Sequence, residues 1–227
     1  MGTAAGAHSI LPTFFLQVEK MPDESHENQS TVRAEEAALA ALNRGIKLDQ
    51  VQDAPGAVQA YLQAVESGHL SQTGPGREAG AQAAFNLGPA LGEAEDTAGA
   101  LHAYRASVEM GRLSETTVGR EAGASAAFNL GLMLEDAQDV AGALQAYLDS
   151  VELGRLSETA AGREAGAKAA FGLALMLGEA KDVEGALQAY RYSVELGGLS
   201  ETAEGFEARD MASYNLSLLQ KQAEDTS

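Results

Sequence analysis

Gly76-Arg77-Glu78-Ala79-Gly80-Ala81-Gln82-Ala83-Ala84-Phe85-Asn86-Leu87-Gly88 is the stretch on which the fold turns, because the chain contains it more than once. Its opening hexad, Gly-Arg-Glu-Ala-Gly-Ala, returns at Gly119 and at Gly162, a spacing of 43 residues each time. Residues 77–119 and 120–162 are identical at 30 of 43 positions; a weaker copy starts near Arg33 and a truncated one at Gly205. A fixed period of this size marks a solenoid, in which a unit too small to bury its own apolar face is stacked on its neighbours. The fold question therefore reduces to one unit.

Within the copy at 77–119, Ala84, Leu87, Gly88 and Leu91 fall on one face at helical spacing and define a first helix. Asp96, a good N-cap residue, precedes a second apolar stripe of Ala100, Leu101, Tyr104 and Val108. Gly111 stands where a left-handed helix terminator is expected, and the same glycine recurs at 68, 154 and 197. In Leu113-Ser114-Glu115-Thr116, repeated from Leu156 and Leu199, the leucine is expected to seal the turn and Ser114 or Thr116 to cap the next helix. Pro89 is expected to remove a hydrogen bond or kink its helix. Strand signals are absent. The prediction is an all-α solenoid of four helical hairpins, about 34–76, 77–119, 120–162 and 163–205, closed by a helix over 206–222. Residues 1–30, which end in the polar run Pro22 to Ser30, read as a disordered leader, and 223–227 as a disordered tail.

Acidic residues outnumber basic ones 33 to 15, a formal net charge of −18. Such a field repels nucleic acid and anionic membrane surfaces unless a basic patch overcomes it, and Arg77, Arg120, Arg163 and Lys168 are scattered singly. The absence of cysteine fits a reducing compartment, and no apolar run reaches the length needed to span a bilayer; Ile10 to Val18 is short and broken by Pro12. A cytoplasmic protein is expected. His8, His26, His69 and His102 are too dispersed for a metal cluster, and no nucleophile elbow or phosphate loop is present. No catalytic residue, metal or cofactor is predicted.

Ala84-Phe85-Asn86-Leu87-Gly88, followed twelve residues after the glycine by Ala100 and four further by Tyr104, resembles the tetratricopeptide (TPR) signature. Gly45, Ala57 and Tyr61 keep this register, as do Gly131, Ala143 and Tyr147; in the fourth copy Ala174 replaces the glycine ahead of Ala186 and Tyr190. The period departs from the family's roughly 34 residues, which places the extra length in the first helix or its preceding turn. Arg44 stands where a leucine is expected, which marks an exposed end unit. Sel1-like repeats have a similar length, but a longer gap between the glycine and the alanine. The TPR resemblance implies a right-handed superhelix of antiparallel helix pairs, with one face of each first helix lining a concave peptide-binding groove.

Projected at 100° per residue, that face carries Gln82, Asn86, Pro89 and Glu93, with Asn43 and Ile46 in the first copy. Asn129, Leu132 and Asp136 follow in the third copy, Lys168, Leu175 and Glu179 in the fourth, and Asn215 and Leu218 in the closing helix. These form an amide row, an apolar row and an acidic row. An asparagine offers a donor and an acceptor to a peptide backbone, or else bonds within its own scaffold. The apolar row would supply contact energy and the acids would favour basic residues on a partner. Phe85, Phe128, Phe171 and Tyr214 flank the face and read as core between repeats; Arg77, Arg120 and Arg163 read as solvent-facing charges. The expected partner is thus a protein or peptide with basic and apolar residues. A second reading is a homo-oligomer stacked through Leu218 and Leu219 of the closing helix.

Overall fold

The computed structural model describes residues 24–225; the leader residues 1–23, with Ile10–Val18 and His8, and residues 226–227 lie outside them. The described residues form α1 (Glu24–Gln50), α2 (Ala54–Leu70), α3 (Gly74–Glu93), α4 (Thr97–Leu113) and α5 (Thr117–Asp136). They continue with α6 (Val140–Leu156), α7 (Ala160–Glu179), α8 (Val183–Ser200) and α9 (Ala203–Asp225), with no strand among them. Each helix packs on the one before it and the one after it, giving an all-α solenoid of four hairpins and a closing helix. The odd-numbered helices also pack on one another, whereas the even-numbered ones barely meet. The odd set is therefore the inner, more closely spaced layer of the array and the even set the outer one.

Within a hairpin the turn is three residues long. Glu95, Gln138 and Lys181 adopt left-handed φ values of 61°, 61° and 63°, as does Gln52 at 62°. The amide of Asp139 bonds the Leu134 carbonyl at 2.8 Å and that of Gln138 bonds Glu135 at 2.9 Å, the paired bonds of a Schellman ending. Asp139 then serves as N-cap of α6, its carboxylate accepting from the Gly142 amide at 3.0 Å. Asp53, Asp96 and Asp182 cap α2, α4 and α8 in the same way.

Between hairpins the joint differs from its prediction. Gly111 lies inside α4, no glycine has positive φ among the described residues, and a Cβ on Gly111 would stand 2.8 Å from the Cα of Gly123 in α5. Gly68 meets Gly80 and Gly154 meets Gly166 likewise, so these glycines let successive hairpins touch backbone to backbone. Leu113 does not seal the turn, being 53% exposed; Leu70, Leu156 and Leu199 are also exposed, while Ser71, Ser114, Ser157 and Ser200 are buried. Thr116 is the cap, accepting from the Gly119 amide at 3.1 Å, and the Ser114 and Thr116 hydroxyls are hydrogen-bonded at 2.8 Å. The serine, and not its apolar neighbour, is the residue that the joint buries.

Other boundaries shift for local reasons. α3, α5, α7 and α9 each start three residues ahead of the predicted unit edges, because the capping threonine precedes the Gly-Arg-Glu-Ala-Gly-Ala hexad, which lies inside the helix. With only three residues between hairpins, the extra length of each unit is helical and does not lengthen a turn. α1 takes in residues 24–30, part of the predicted leader, and no glycine or proline interrupts 24–44. α9 runs to Asp225, into the predicted tail. Pro89 is exposed within α3, and the helix continues to Glu93.

The core is built on alanine with one buried tyrosine per hairpin: Tyr61, Tyr104, Tyr147 and Tyr190. A Cβ at Gly88 would lie 2.4 Å from the Tyr104 ring, so the glycine makes the room that the ring fills. Ser107, Ser150 and Ser193 in the outer helices donate to the carbonyls of Ala81, Ala124 and Ala167, tying the two layers together at 2.8–2.9 Å.

Candidate functional site: the inner face

The residues predicted for the groove all lie on the inner-layer helices. Leu132, Leu175 and Leu218 are 43–44% exposed, and Asn43 is exposed as well. Ile46, Gln82, Asn86, Asn129, Lys168 and Asn215 are half-buried. Glu93, Asp136 and Glu179 are exposed and each is the last residue of its helix. A helix C-terminus disfavours an anion, and α3, α5 and α7 carry no basic residue in their last turns. Helix stability therefore gives no reason for acids in these places.

The asparagine row is engaged with the scaffold. Asn129 Nδ2 donates to the Tyr104 hydroxyl at 3.4 Å and Asn215 Nδ2 to Tyr190 at 3.3 Å, each reaching back to the preceding outer helix. Asn86 occupies the equivalent position in the second repeat. An amide has two donor hydrogens and an acceptor oxygen, and the tyrosine takes one donor.

The tyrosine hydroxyls continue the network. Tyr61 donates to Asp49 and Tyr147 to Glu135, both at 2.7 Å. Burial, and next the carboxylate that accepts the proton, hold both hydroxyls well above the ordinary tyrosine range. Tyr104 and Tyr190 are also raised by burial, against the opposing pull of Asn129 and Asn215. All four remain neutral at physiological pH; Tyr61 and Tyr147 donate to carboxylates, whereas Tyr104 and Tyr190 accept from Asn129 and Asn215.

Two hollows open on this face. One, of about 410 Å³, gathers Leu132, Lys168 and Leu175 from the predicted set with Phe128, Glu135, Tyr147, Phe171, Gly172, Glu204, Glu207, Ala208 and Met211. Another, of about 510 Å³, brings together Ile46, Asn86 and Glu93 with Asp49, Tyr61 and Pro89. Asn43, Gln82, Asn129, Asp136, Glu179, Asn215 and Leu218 line neither. Lys168 is paired with Glu164 at 2.9 Å, and its ammonium lies 5.0 Å from the centre of the Phe128 ring.

Sequence reasoning missed Asp49 and Glu135, whose signal was a carboxylate recurring at one repeat position in alternate hairpins, with Gly92 and Gly178 between. Phe85, Phe128 and Phe171 are half-buried and pack beside Tyr104, Tyr147 and Tyr190 at 5.9–6.4 Å between centroids. Tyr214 is not core: it is 65% exposed on α9. Nor do Arg77 and Arg163 simply face solvent, since they donate to carbonyls in the last turns of α4 and α8, Leu113 at 3.3 Å and Leu199 at 3.2 Å.

Among the described residues no group of three or more His, Asp or Glu side chains is placed to hold a metal ion, and no helix is long and apolar enough to cross a membrane. Comparison with protein-family models and with curated proteins finds no match for the chain.

Proposed function

We propose that the chain is a non-catalytic, tetratricopeptide-like scaffold that holds a peptide segment of a partner protein along its inner face. The observation that carries this reading is the face's composition. Leucines at matching repeat positions stay exposed, and acids close the helix ends, where stability alone disfavours them. Such a surface suits a segment with apolar and basic residues, and it disfavours nucleic acid and anionic lipid. The absence of cysteine supports a cytoplasmic setting.

The test is a peptide array of basic-apolar segments probed with the full chain and with the double variant Leu132→Arg, Leu175→Arg. Both leucines are exposed, so helicity by circular dichroism should persist while capture falls by about tenfold or more. Equal capture by both proteins would overturn the groove.

A specific feature favours homo-oligomerisation as a second reading: Tyr214 of α9, the last described helix, is 65% exposed, where a polar outer face is usual. A strict monomer by light scattering across concentrations counts against it.

A further inference from the structure

Positions 43, 86, 129, 172 and 215 are equivalent in the repeat; four carry asparagine and one carries glycine. Asn129 and Asn215 reach the tyrosine of the preceding outer helix at 3.4 and 3.3 Å, but Tyr147 receives no such side chain, because the residue opposite it is Gly172. The hollow of about 410 Å³ lies at this missing side chain. Its volume is near the lower end of the range for ligand clefts, roughly 300–1,000 Å³, which suits one large side chain better than a long segment.

From this we infer that the hollow at Gly172 is a specificity pocket that receives a single bulky apolar side chain of the partner peptide, flanked on the peptide by arginine or lysine. The inference rests on the scaffold reading above and names its principal subsite. Phe128, Phe171, Leu132, Leu175 and Met211 present the apolar surface. Glu135, Glu204 and Glu207 are exposed carboxylates at the same hollow. The one cation there, Lys168, already pairs with Glu164. The rim thus has net negative charge, which attracts a basic flank and repels an acidic one. Tyr147 donates to Glu135 at 2.7 Å, which anchors that carboxylate at the pocket.

Acetyl-Gly-Arg-Phe-Arg-Gly-amide is the probe, titrated into the full chain carrying ¹³C-methyl methionine. The Met211 methyl should shift, whereas Met110, buried in α4, should not. Gly172→Asn installs the residue found at the equivalent positions. A Cβ there stands 3.2 Å from the Tyr147 ring, so the ring yields by a few tenths of an ångström and the hollow fills. Binding should weaken by about tenfold or more. Glu204→Gln with Glu207→Gln alters only exposed side chains and should weaken binding by about fivefold without touching the fold. Peptides with Ser for Phe, or Glu for Arg, should fail.

Undiminished binding to Gly172→Asn, with loss in the Leu132→Arg, Leu175→Arg protein, overturns the pocket and leaves the groove standing. Undiminished binding to both variants overturns the groove as well. A wild-type chain that ignores the probe, or binds the Glu peptide as well as the Arg peptide, overturns the assigned occupant.

Discussion

The first three repeats each have two joints of three residues, and these are built on opposite principles. The turn inside a hairpin is exposed, carries a non-glycine residue in the left-handed region, and is closed by an aspartate facing water. The joint between hairpins has a buried side: Gly111 and Gly123 approach through their backbones, and the buried Ser114 is hydrogen-bonded to the capping Thr116. Glycine is usual at left-handed turns, yet here it is absent from the turns and concentrated where helices cross. Turn geometry tolerates a modest strain in each hairpin, whereas the contact between hairpins has no room for a Cβ. The distance between successive hairpins, and with it the spacing of the groove steps, is set at the second joint.

The sharpest way to break this contrast is Gly111→Val. Its side chain meets the Gly119 carbonyl and the Gly123 Cα, both 2.8 Å from where its Cβ would stand, so α4 and α5 must separate. The expected loss is about 3 kcal/mol of unfolding free energy, read by urea denaturation followed by helicity. A loss well under about 1 kcal/mol would mean that the hairpins slide apart freely and that the glycine contact does not set their spacing.

Caps offer a smaller test. Thr116→Ala leaves the Gly119 amide unmet at a buried position and should cost about 2 kcal/mol. Asp139→Ala releases the Gly142 amide near water and should cost about 1 kcal/mol. Equal losses, measured in the same denaturant series, would erase the difference between the two joints.

These two joints also show how far the sequence could be read. The period, the helix pairing and the small-residue and tyrosine register were legible, because repetition multiplies a weak signal and the Gly88–Tyr104 contact lies within one unit. Gly111 was misread because a glycine near a helix end fits a terminator and a crossing point equally well. The deciding fact is its partner, and the pairs 68 with 80, 111 with 123 and 154 with 166 lie twelve residues apart across the joint. Leu113 was misread for a related reason, since nothing along the chain says whether a leucine beside a turn has a surface to cover. On the inner face, Gly172 was visible as a gap in the asparagine row. That the gap is a hollow required the position of Tyr147 on the neighbouring helix.

The smallest effect expected at the joints has the opposite sign. Gln138 holds φ at 61° in the turn between α5 and α6. A left-handed conformation costs an L-residue roughly 1–2 kcal/mol, and glycine escapes that cost while losing about 0.4–1 kcal/mol through its freer unfolded chain. Gln138→Gly should therefore stabilise the protein by about 0.5 kcal/mol, seen as a small rise in the urea midpoint with an unchanged slope. The paired bonds from Gln138 and Asp139 to Glu135 and Leu134 are main-chain bonds and survive the change. A clear loss of stability would show that the Gln138 side chain, whose amide reaches the Glu135 carbonyl at 3.4 Å, holds the turn together. The exposed joint would then depend on its side chains as strictly as the buried one depends on their absence.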